Sequence, residues 1–429
     1  MTISRATRTV ALLALLFLMT ASLAAADDDL FPMPQVIVSN VAFWTKVYAQ
    51  YTTGHGIVHD GHDLTIIYDI IALLPYDAPD ANRVNRKRIK RAKNKYRHIL
   101  RKLAKHPGTR DKAARRVAEY FGDNANANTF LSAAGNVRCQ IGQKDRFRAG
   151  LIRSGAYIEQ IRTIFKRKGL PEALAYLPHV ESSFNPNAYS KFGAAGVWQF
   201  TRSTGRRFMH VGYELDERRD PILATHAAAA LLAENYAKLG SWPLAITAYN
   251  HGAAGMQRAR NKHGDYARIF QDYRSRTFKF ASRNFYSEFL AARHVASNYK
   301  TYFGELSFDR PTGSHVVSLV GYAPIADLQT HFKVDMQTLR SLNPALRKPV
   351  FEGQKHIPKG YALRLPPAEN MTADTRYAKI PDDLYRPAQK RSRFYTVQRG
   401  DTAGKIARMH NVRLRDLVLA NNLDRRAVI

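Results

Sequence analysis

Apolar residues recur at helical spacing through the middle of the chain. From Pro171 onward, four residues follow one another at intervals of three, four and three positions: Leu174, Leu177, Glu181 and Phe184. Side chains with this spacing lie on one side of an α-helix. The face is apolar except for one carboxylate, so Glu181 is predicted to point toward the interior or toward the wall of a cleft.

Helix start and stop signals flank a second helix in the same region. Pro221 follows Asp220, a favourable N-cap residue, and Gly240 follows the alanine-rich stretch that ends at Leu239. Proline favours the first turn of a helix and glycine the position after its end. The pattern predicts a compact α-helical domain over residues 146–302.

The regions on either side of this domain have different patterns. Residues 27–145 are predicted to form a basic helical N-terminal region, in which Arg83 to Lys105 mixes many cations with a thin apolar stripe. Two interpretations of that helix stay open: it docks on an anionic envelope polymer, or it is simply a solvated face. After the central domain come a segment richer in proline and strand signals (312–367), a polar linker (381–393) and a short last module (394–429).

Composition adds limits to this picture. The chain has 429 residues, 45% of them hydrophobic, which indicates a folded protein of several domains. Residues 1–26 have the basic start, apolar run and small-residue end of a signal peptide, with an uncleaved anchor as the alternative. The single cysteine, Cys139, lies far from that segment, so neither a lipid-anchor cysteine nor an internal disulfide is expected.

The formal net charge is +31, from 66 Lys and Arg against 35 Asp and Glu. Such a balance indicates a polyanionic partner. For an exported chain we expect anionic cell-envelope polymers or a membrane surface, and no nucleic acid.

Glu181 is the first candidate for chemistry. A carboxyl group on an apolar face has a raised pKa and can donate a proton near neutral pH, as glycosidic cleavage requires. The alternative is a paired structural carboxylate. Two further clusters contain the residue types of sugar sites. In Gly193 to Phe200, Trp198 offers a stacking face and Gln199 an amide; Ala248 to Gly252 includes Tyr249 and Asn250.

These clusters carry a family resemblance. Glu181-Ser182, the segment Gly196-Val197-Trp198-Gln199 and the segment Ala248 to Gly252 resemble, in order and spacing, the signature of the soluble lytic transglycosylase-type domain. Residues 174–205 look like the membrane-bound lytic murein transglycosylase D branch, and the stretch from Phe43-Trp44 to Asp63 resembles that branch more weakly. Val197-Trp198 departs from the commonest Leu-Met of the family.

The resemblance implies a mainly α, lysozyme-like catalytic domain that cleaves peptidoglycan glycan strands between N-acetylmuramic acid and N-acetylglucosamine and forms 1,6-anhydro ends. Glu181 would be the catalytic acid and base. Four other residues would bind the sugar: Ser182, Gln199, Tyr249 and Asn250. It implies no cofactor and no metal.

Other assignments remain open at this point. A hydrolytic muramidase would need a second carboxylate, for which Asp216, Glu217 and Asp220 are candidates, and a non-catalytic peptidoglycan-binding scaffold would need none. The close histidines His55, His59 and His62 suggest a metal site, but their spacing through glycines presents no common helix face.

The last module resembles a LysM module, a small α+β glycan-binding unit. The resemblance rests on Tyr395 to Thr402 and on the stretch from Asp416-Leu417 to Asn421-Asn422. The sequence ends at Ile429, so a truncated LysM module without its last strand is expected. Residues 312–367 look like a diverged copy of the same module.

Overall fold

The computed structural model describes residues 29–367, 380–390 and 395–421, together with residues 423, 427 and 429. The predicted signal peptide, residues 1–26, lies outside the described residues. The predicted linker, residues 381–393, is described as far as residue 390.

The α-helices are numbered in chain order. Those before residue 200 are α1 (Val38–Ala49), α2 (Ala81–Lys105), α3 (Lys112–Ala118), α4 (Ala127–Asn136), α5 (Lys144–Ser154), α6 (Ile158–Arg167) and α7 (Leu177–Glu181). Those between residues 200 and 304 are α8 (Arg202–Gly205), α9 (Pro221–Leu239), α10 (Trp242–His251), α11 (Ala253–His263), α12 (Tyr266–Asp272), α13 (Phe280–Ser297) and α14 (Tyr299–Phe303). The remainder are α15 (Ile325–Phe332), α16 (Met336–Leu342), α17 (Lys348–Phe351), α18 (Ala403–Met409) and α19 (Leu414–Ala420). The prediction of a mainly helical protein is confirmed.

The chain divides into two compact units. The first contains the described residues up to Ser154, together with Arg162–Ser183 and Ala229–Phe308. The second contains Gly155–Ile161, Phe184–Ala228 and the described residues from Asp309 onward.

Helix α13 organises the core of the first unit. It packs against α1, α7 and α10. Val47, Phe147 and Val295 are buried in one hydrophobic cluster that joins α1, α5 and α13. A buried amide pair adds a polar contact, because Asn40 Nδ2 donates to Asn284 Oδ1 at 2.7 Å. Buried amides that satisfy each other fix the relative register of two helices.

A three-stranded antiparallel sheet also belongs to the first unit. The strands are β1 (His55–Asp60), β2 (Ile67–Ala72) and β3 (Val137–Ile141), in the order β2-β1-β3. The sequence prediction of a helical region over residues 27–145 omitted this sheet. The reason is that β1 is buried along nearly its whole length and carries His59 and Asp60, so it lacks the polar–apolar alternation that indicates a strand.

The predicted basic helix is confirmed as α2. Its Ile99, Leu100 and Leu103 are buried and pack in one cluster with Phe130 of α4. The cations occupy the other faces, as expected for a helix with a narrow apolar stripe.

The helix predicted from Pro171 differs from its expected form. It starts as a 3-10 turn over Glu172–Tyr176, continues as the short α7 and ends at Glu181. Phe184 therefore lies beyond the helix end, with a φ of 54°, and does not share the face of Leu177. Helix periodicity identified the buried positions but could not show where the backbone turns away.

The second predicted helix is confirmed at both ends. The Asp220 carboxylate accepts hydrogen bonds from the backbone N–H groups of Ile222 and Leu223 at 2.9 and 3.0 Å. Helix α9 ends at Leu239, and Gly240 follows with a φ of +68°. These are the contacts of an N-cap carboxylate and of a left-handed helix stop.

The second unit contains a small α+β segment with its own core. Strands β4 (His315–Ser318) and β5 (Ala362–Leu365) pair antiparallel, and α15, α16 and α17 lie between them in sequence. Leu328, Leu339 and Leu363 are fully buried in its hydrophobic cluster. The strand signals over residues 312–367 are confirmed by β4 and β5. Across the part of the chain that the structure describes, no helix combines the length and apolar character needed to cross a membrane.

Candidate active site

Glu181 is the last residue of α7. Its side chain retains some solvent contact, as expected at the wall of a cleft, while the protein around it removes most of the water. Burial raises the pKa of Glu181 to about 8, because the charged carboxylate loses its hydration. The carboxyl group is therefore mainly protonated at neutral pH and can act as an acid.

The backbone turns sharply after this residue. Ser183 and Phe184 both have positive φ angles, 50° and 54°, which residues other than glycine rarely adopt. Arg153 of α5 donates to the Ser183 carbonyl oxygen from Nη2 at 2.7 Å and from Nε at 3.2 Å. Gly150, one turn earlier on α5, permits the close approach, since a Cβ there would lie 2.9 Å from the Ser183 oxygen. Helix α5 thus holds the turn that ends α7.

A second buried carboxyl group accompanies Glu181. Glu288 projects from α13, the helix that packs against α7. Burial, and then the charge of Glu181, raise the pKa of Glu288 to about 8. Two neighbouring carboxyl groups in a poorly hydrated place resist simultaneous ionisation, so the pair releases its two protons in separate steps.

Two tyrosines are also affected by the charge of Glu181. Burial raises the pKa of Tyr48 on α1 well above its usual value, and the charges of Glu288 and Glu181 raise it further. Burial and the charge of Glu181 do the same to Tyr249 on α10. Both phenols therefore stay protonated at neutral pH and can donate hydrogen bonds.

Sequence reasoning missed Glu288, Tyr48 and Arg153. For Glu288 a signal was present: its helical neighbours at three and four positions are Asn284, Phe285, Ala291 and Ala292, none of them charged. That pattern is the same one that indicated Glu181. Arg153 had no such signal, because a backbone carbonyl as its partner leaves no trace in the sequence.

Asn250 and Ser182 lie in the same unit. Asn250 Oδ1 accepts a hydrogen bond from the Ser282 hydroxyl at 2.7 Å, which orients the amide at the end of α10. Ser182 directly follows Glu181, and its hydroxyl lies 3.4 Å from the Pro178 carbonyl oxygen. Both side chains are at least partly accessible to solvent and can therefore meet a ligand.

Gln199 belongs to the second unit, in the loop Gly196 to Phe200. It has a φ of 47°, and its amide Nε2 donates to the Gly196 carbonyl oxygen at 3.0 Å. Position 196 requires glycine, because its φ is +77° and a Cβ there would lie 1.8 Å from the Arg218 carbonyl oxygen. The loop is therefore a tightly determined turn that presents a partly exposed amide.

The expected stacking role of Trp198 is wrong. Its side chain is completely buried, and its indole Nε1 donates to Thr225 Oγ1 at 2.9 Å. A ring without an exposed face cannot stack on a sugar, so Trp198 anchors the loop from within.

The three acidic residues considered as a second carboxylate have structural partners. Asp216 accepts two hydrogen bonds at 2.8 Å from the guanidinium of Arg218, which also donates to the carbonyl oxygens of Gly193 and Phe200. Glu217 accepts from the backbone N–H of His210, and Asp220 caps α9. These contacts give each of the three carboxylates a structural role, either in supporting a loop or in capping a helix.

The histidine cluster does not form a ligand set. His59 is buried between the rings of Phe43 and Phe280, at centroid distances of 4.8 and 5.7 Å, and burial lowers its pKa to about 4. His55 Nδ1 lies 3.0 Å from Thr52 Oγ1. Among the described residues, no group of three or more His, Cys, Asp or Glu side chains is arranged to hold a metal ion.

Comparisons with known proteins identify two domains. Residues 161–270, which include all the candidate sugar-site residues, match the transglycosylase SLT domain, and residues 395–429 match the LysM domain. The chain carries an SLT domain and a LysM domain. The SLT domain thus spans α7 with Glu181 and α10 with Tyr249.

Among the relatives with similar sequences are membrane-bound lytic murein transglycosylases. The chain is 28% identical over 284 residues to membrane-bound lytic murein transglycosylase D of Escherichia coli K12, covering 63% of this chain and 61% of the relative. It thus spans about three fifths of that relative's length. A putative tributyltin chloride resistance protein of an Alteromonas species is 35% identical over 109 residues, which are 25% of this chain and 53% of that protein.

Two solved structures show partial similarity. The lytic transglycosylase Slt of Pseudomonas aeruginosa, solved as an inactive mutant, aligns with a TM-score of 0.30 and 19% identity, over 52% of this chain and 35% of that one. The 70 kDa soluble lytic transglycosylase of E. coli aligns with a TM-score of 0.30 and 15% identity, over 53% and 46%.

Proposed function

We propose that the protein is a lytic transglycosylase that cleaves the β-1,4 bond between N-acetylmuramic acid and N-acetylglucosamine in peptidoglycan. The observation that carries the proposal is Glu181 at the end of α7, where burial raises its pKa to about 8, inside the segment that matches the SLT domain. A carboxyl group with a pKa near 8 is suited to protonating a leaving glycosidic oxygen at neutral pH.

In the proposed reaction, the Glu181 carboxyl group carries out both proton transfers. Glu181 donates its proton to the glycosidic oxygen as the bond from that oxygen to muramoyl C1 breaks. The neighbouring acetamido group of the substrate stabilises the cationic C1, and the muramoyl C6 hydroxyl then closes on C1. The Glu181 carboxylate takes the hydroxyl proton, so the enzyme regains its starting state and no water is consumed.

Four other side chains are proposed to bind and orient the sugar: Ser182, Gln199, Tyr249 and Asn250. Tyr249 is the one whose ionisation is coupled to the charge of Glu181, which favours a role close to the reacting atoms. The fixed orientation of Asn250 favours hydrogen bonding to an acetamido or hydroxyl group. No cofactor is required by this chemistry.

A hydrolytic muramidase is the second candidate, and Glu288 is the observation that favours it. Glycosidases that use water commonly use two carboxyl groups. The raised pKa of Glu288 weakens it as a base, because a group that remains protonated cannot accept a proton from water. We therefore assign Glu288 to tuning Glu181 and not to activating water.

The remaining parts are proposed to place the enzyme on its substrate. We propose export through a signal peptide at residues 1–26 and action in the periplasm or cell envelope of a bacterium. The LysM domain would hold the enzyme on glycan strands and raise its effective concentration there. Residues 312–367 would add a diverged LysM-like unit, and the basic region 27–145 would attract anionic envelope polymers or the membrane surface.

The test compares three purified proteins on purified peptidoglycan: the wild type, Glu181→Gln and Glu305→Gln. Glu305 is an exposed carboxylate that pairs with Lys300 at 2.9 Å, so its variant controls for loss of a charge. We expect soluble muropeptides from the wild type and Glu305→Gln alone. Cleavage by Glu181→Gln at the wild-type rate would contradict the proposal, and binding without cleavage by the wild type would indicate a scaffold.

A further inference from the structure

The first unit contains a second concave site, formed by α2 and neighbouring segments. The cavity has a volume of about 440 Å³, within the range of small-molecule binding sites. All its lining residues lie between residues 53 and 146, whereas the acid of the proposed reaction is Glu181. None of the candidate sugar-site residues lines this cavity.

The lining is strongly cationic. Five of the thirteen lining residues are basic and none is acidic: Arg86, Lys90, Lys93, Arg97 and Arg146. Within the part of the chain that the structure describes, none of these five side chains forms an ion pair with a carboxylate. Other cations on α2 do have partners, since Lys102 pairs with Asp111 at 2.9 Å and Lys95 lies 3.8 Å from an Asp69 oxygen.

The four cations of α2 form a straight row. Their spacings of four, three and four residues place them on one helix face, and the row is about 16 Å long. Like charges at such spacing repel one another and destabilise a helix. In accord with this crowding, burial and then the charges of Arg97 and Arg138 lower the pKa of Lys93. The row destabilises the helix, and its cations have no carboxylate partner among the described residues. It is therefore suited to binding an anion from outside the protein.

The rest of the lining supplies a fixed cation and uncharged donors. The Arg146 guanidinium lies 4.4 Å from the centre of the Tyr76 ring, which holds it in place. Asn82 and Gln143 also line the cavity and can donate hydrogen bonds. Guanidinium groups bind phosphate through paired hydrogen bonds, and lysine ammonium groups act as point charges.

We propose that this cavity is a binding site for a row of phosphate groups, such as those of a phosphorylated envelope polymer or of lipid headgroups. A chain of phosphate groups presents an anionic charge at each unit along its length, which suits a row of cations that lines one side of a cavity of about 440 Å³. The site is independent of the proposed transglycosylase reaction. It would keep the enzyme close to an anionic surface while the SLT domain acts.

The test uses the full chain without the signal segment and measures binding of linear inorganic polyphosphate by titration calorimetry at constant ionic strength. One variant replaces the row: Arg86→Gln, Lys90→Gln, Lys93→Gln and Arg97→Gln. The matched control replaces four exposed cations of α2 that do not line the cavity: Lys87→Gln, Arg91→Gln, Arg101→Gln and Lys105→Gln. Both variants lose the same charge from the same helix, and circular dichroism checks that both are folded.

We expect the row variant to bind polyphosphate about tenfold or more weakly, while the control stays within about twofold of the wild type. The pair variant Lys90→Gln with Lys93→Gln should give an intermediate loss. Vesicles of phosphatidylcholine with phosphatidylglycerol distinguish the source: row-dependent vesicle binding indicates headgroups, and row-dependent binding of polyphosphate alone indicates a soluble polymer.

Two results would overturn the proposal. Equal weakening in the row variant and the control would mean general charge attraction without a site. Equally tight binding of polyglutamate of the same length would mean that phosphate is not preferred. Neither result depends on glycan cleavage, so the proposal fails or stands separately from the transglycosylase activity.

Discussion

Arg153 donates two hydrogen bonds to the carbonyl oxygen of Ser183, at 2.7 and 3.2 Å. The accepting residue lies two positions after Glu181 and has a φ of 50°. A strained backbone conformation persists only where the surrounding structure determines it, and here the determinant is a guanidinium from another helix. The direction in which α7 presents Glu181 therefore depends on Arg153.

Replacement of Arg153 by methionine should reduce cleavage. The variant keeps much of the side-chain volume but removes both donors, so the turn after Glu181 loses its support. We expect kcat to fall by about tenfold, the order of effect of a misplaced catalytic group. The control is Arg148→Met on the exposed face of the same helix. If Arg153→Met kept the wild-type kcat, the turn after Glu181 would not need Arg153 to keep its conformation.

The rate should depend on pH through Glu181. Because the protonated form is the acid, kcat/KM should be constant below the pKa and fall as pH rises through about 8. A profile of kcat/KM from acidic to alkaline pH, with soluble muropeptide release as the readout, measures this limb. A fall centred near the ordinary value of a glutamate, about 4.3, would mean that Glu181 is not buried as described.

Replacement of Glu288 by glutamine should move that limb. The charge of Glu181 raises the pKa of Glu288, and the coupling between two titrating groups acts in both directions. Removal of Glu288 therefore makes Glu181 easier to ionise and shifts the alkaline limb to lower pH. Glu305→Gln serves as the control and should leave the limb in place. If Glu288 activated water, the variant would instead lose activity at every pH.

Glycine at position 196 should be less replaceable than glycine at position 193. Both have positive φ, +77° and +83°, so alanine strains the backbone at either site. At Gly196 the added Cβ also meets the Arg218 carbonyl oxygen, whereas at Gly193 its nearest contact is 3.6 Å away. We expect Gly196→Ala to lower the thermal unfolding temperature more than Gly193→Ala does. Equal shifts would mean that the loop moves to accept the methyl group.

The parts of the fold that the sequence predicted were those with local signals. Apolar periodicity and end signals identified α2 and α9, because amphipathic faces, Asp220 and Gly240 act through the chain's nearest neighbours. Periodicity also identified Glu181 as a buried carboxyl group. The β-sheet escaped prediction because a strand covered on both faces has no alternating pattern.

The parts that the sequence did not predict depend on distant contacts. The end of α7 is set by Arg153 and Gly150, which lie about thirty residues earlier, and no local pattern shows that they meet Ser183. Trp198 illustrates the opposite error. An aromatic residue in a glycine-rich loop is equally compatible with a sugar platform and with an anchor, and only its complete burial distinguishes the two.

The chemical form of the new glycan end tests the central proposal most directly. Purified peptidoglycan would be digested by the wild-type protein in water enriched in oxygen-18, and the released muropeptides analysed by mass spectrometry. If Glu181 directs closure of the muramoyl C6 hydroxyl on C1, the products are 1,6-anhydro ends, lighter than reducing ends by one water and free of the label. Reducing ends that carry one labelled oxygen would contradict the account and make the protein a hydrolase.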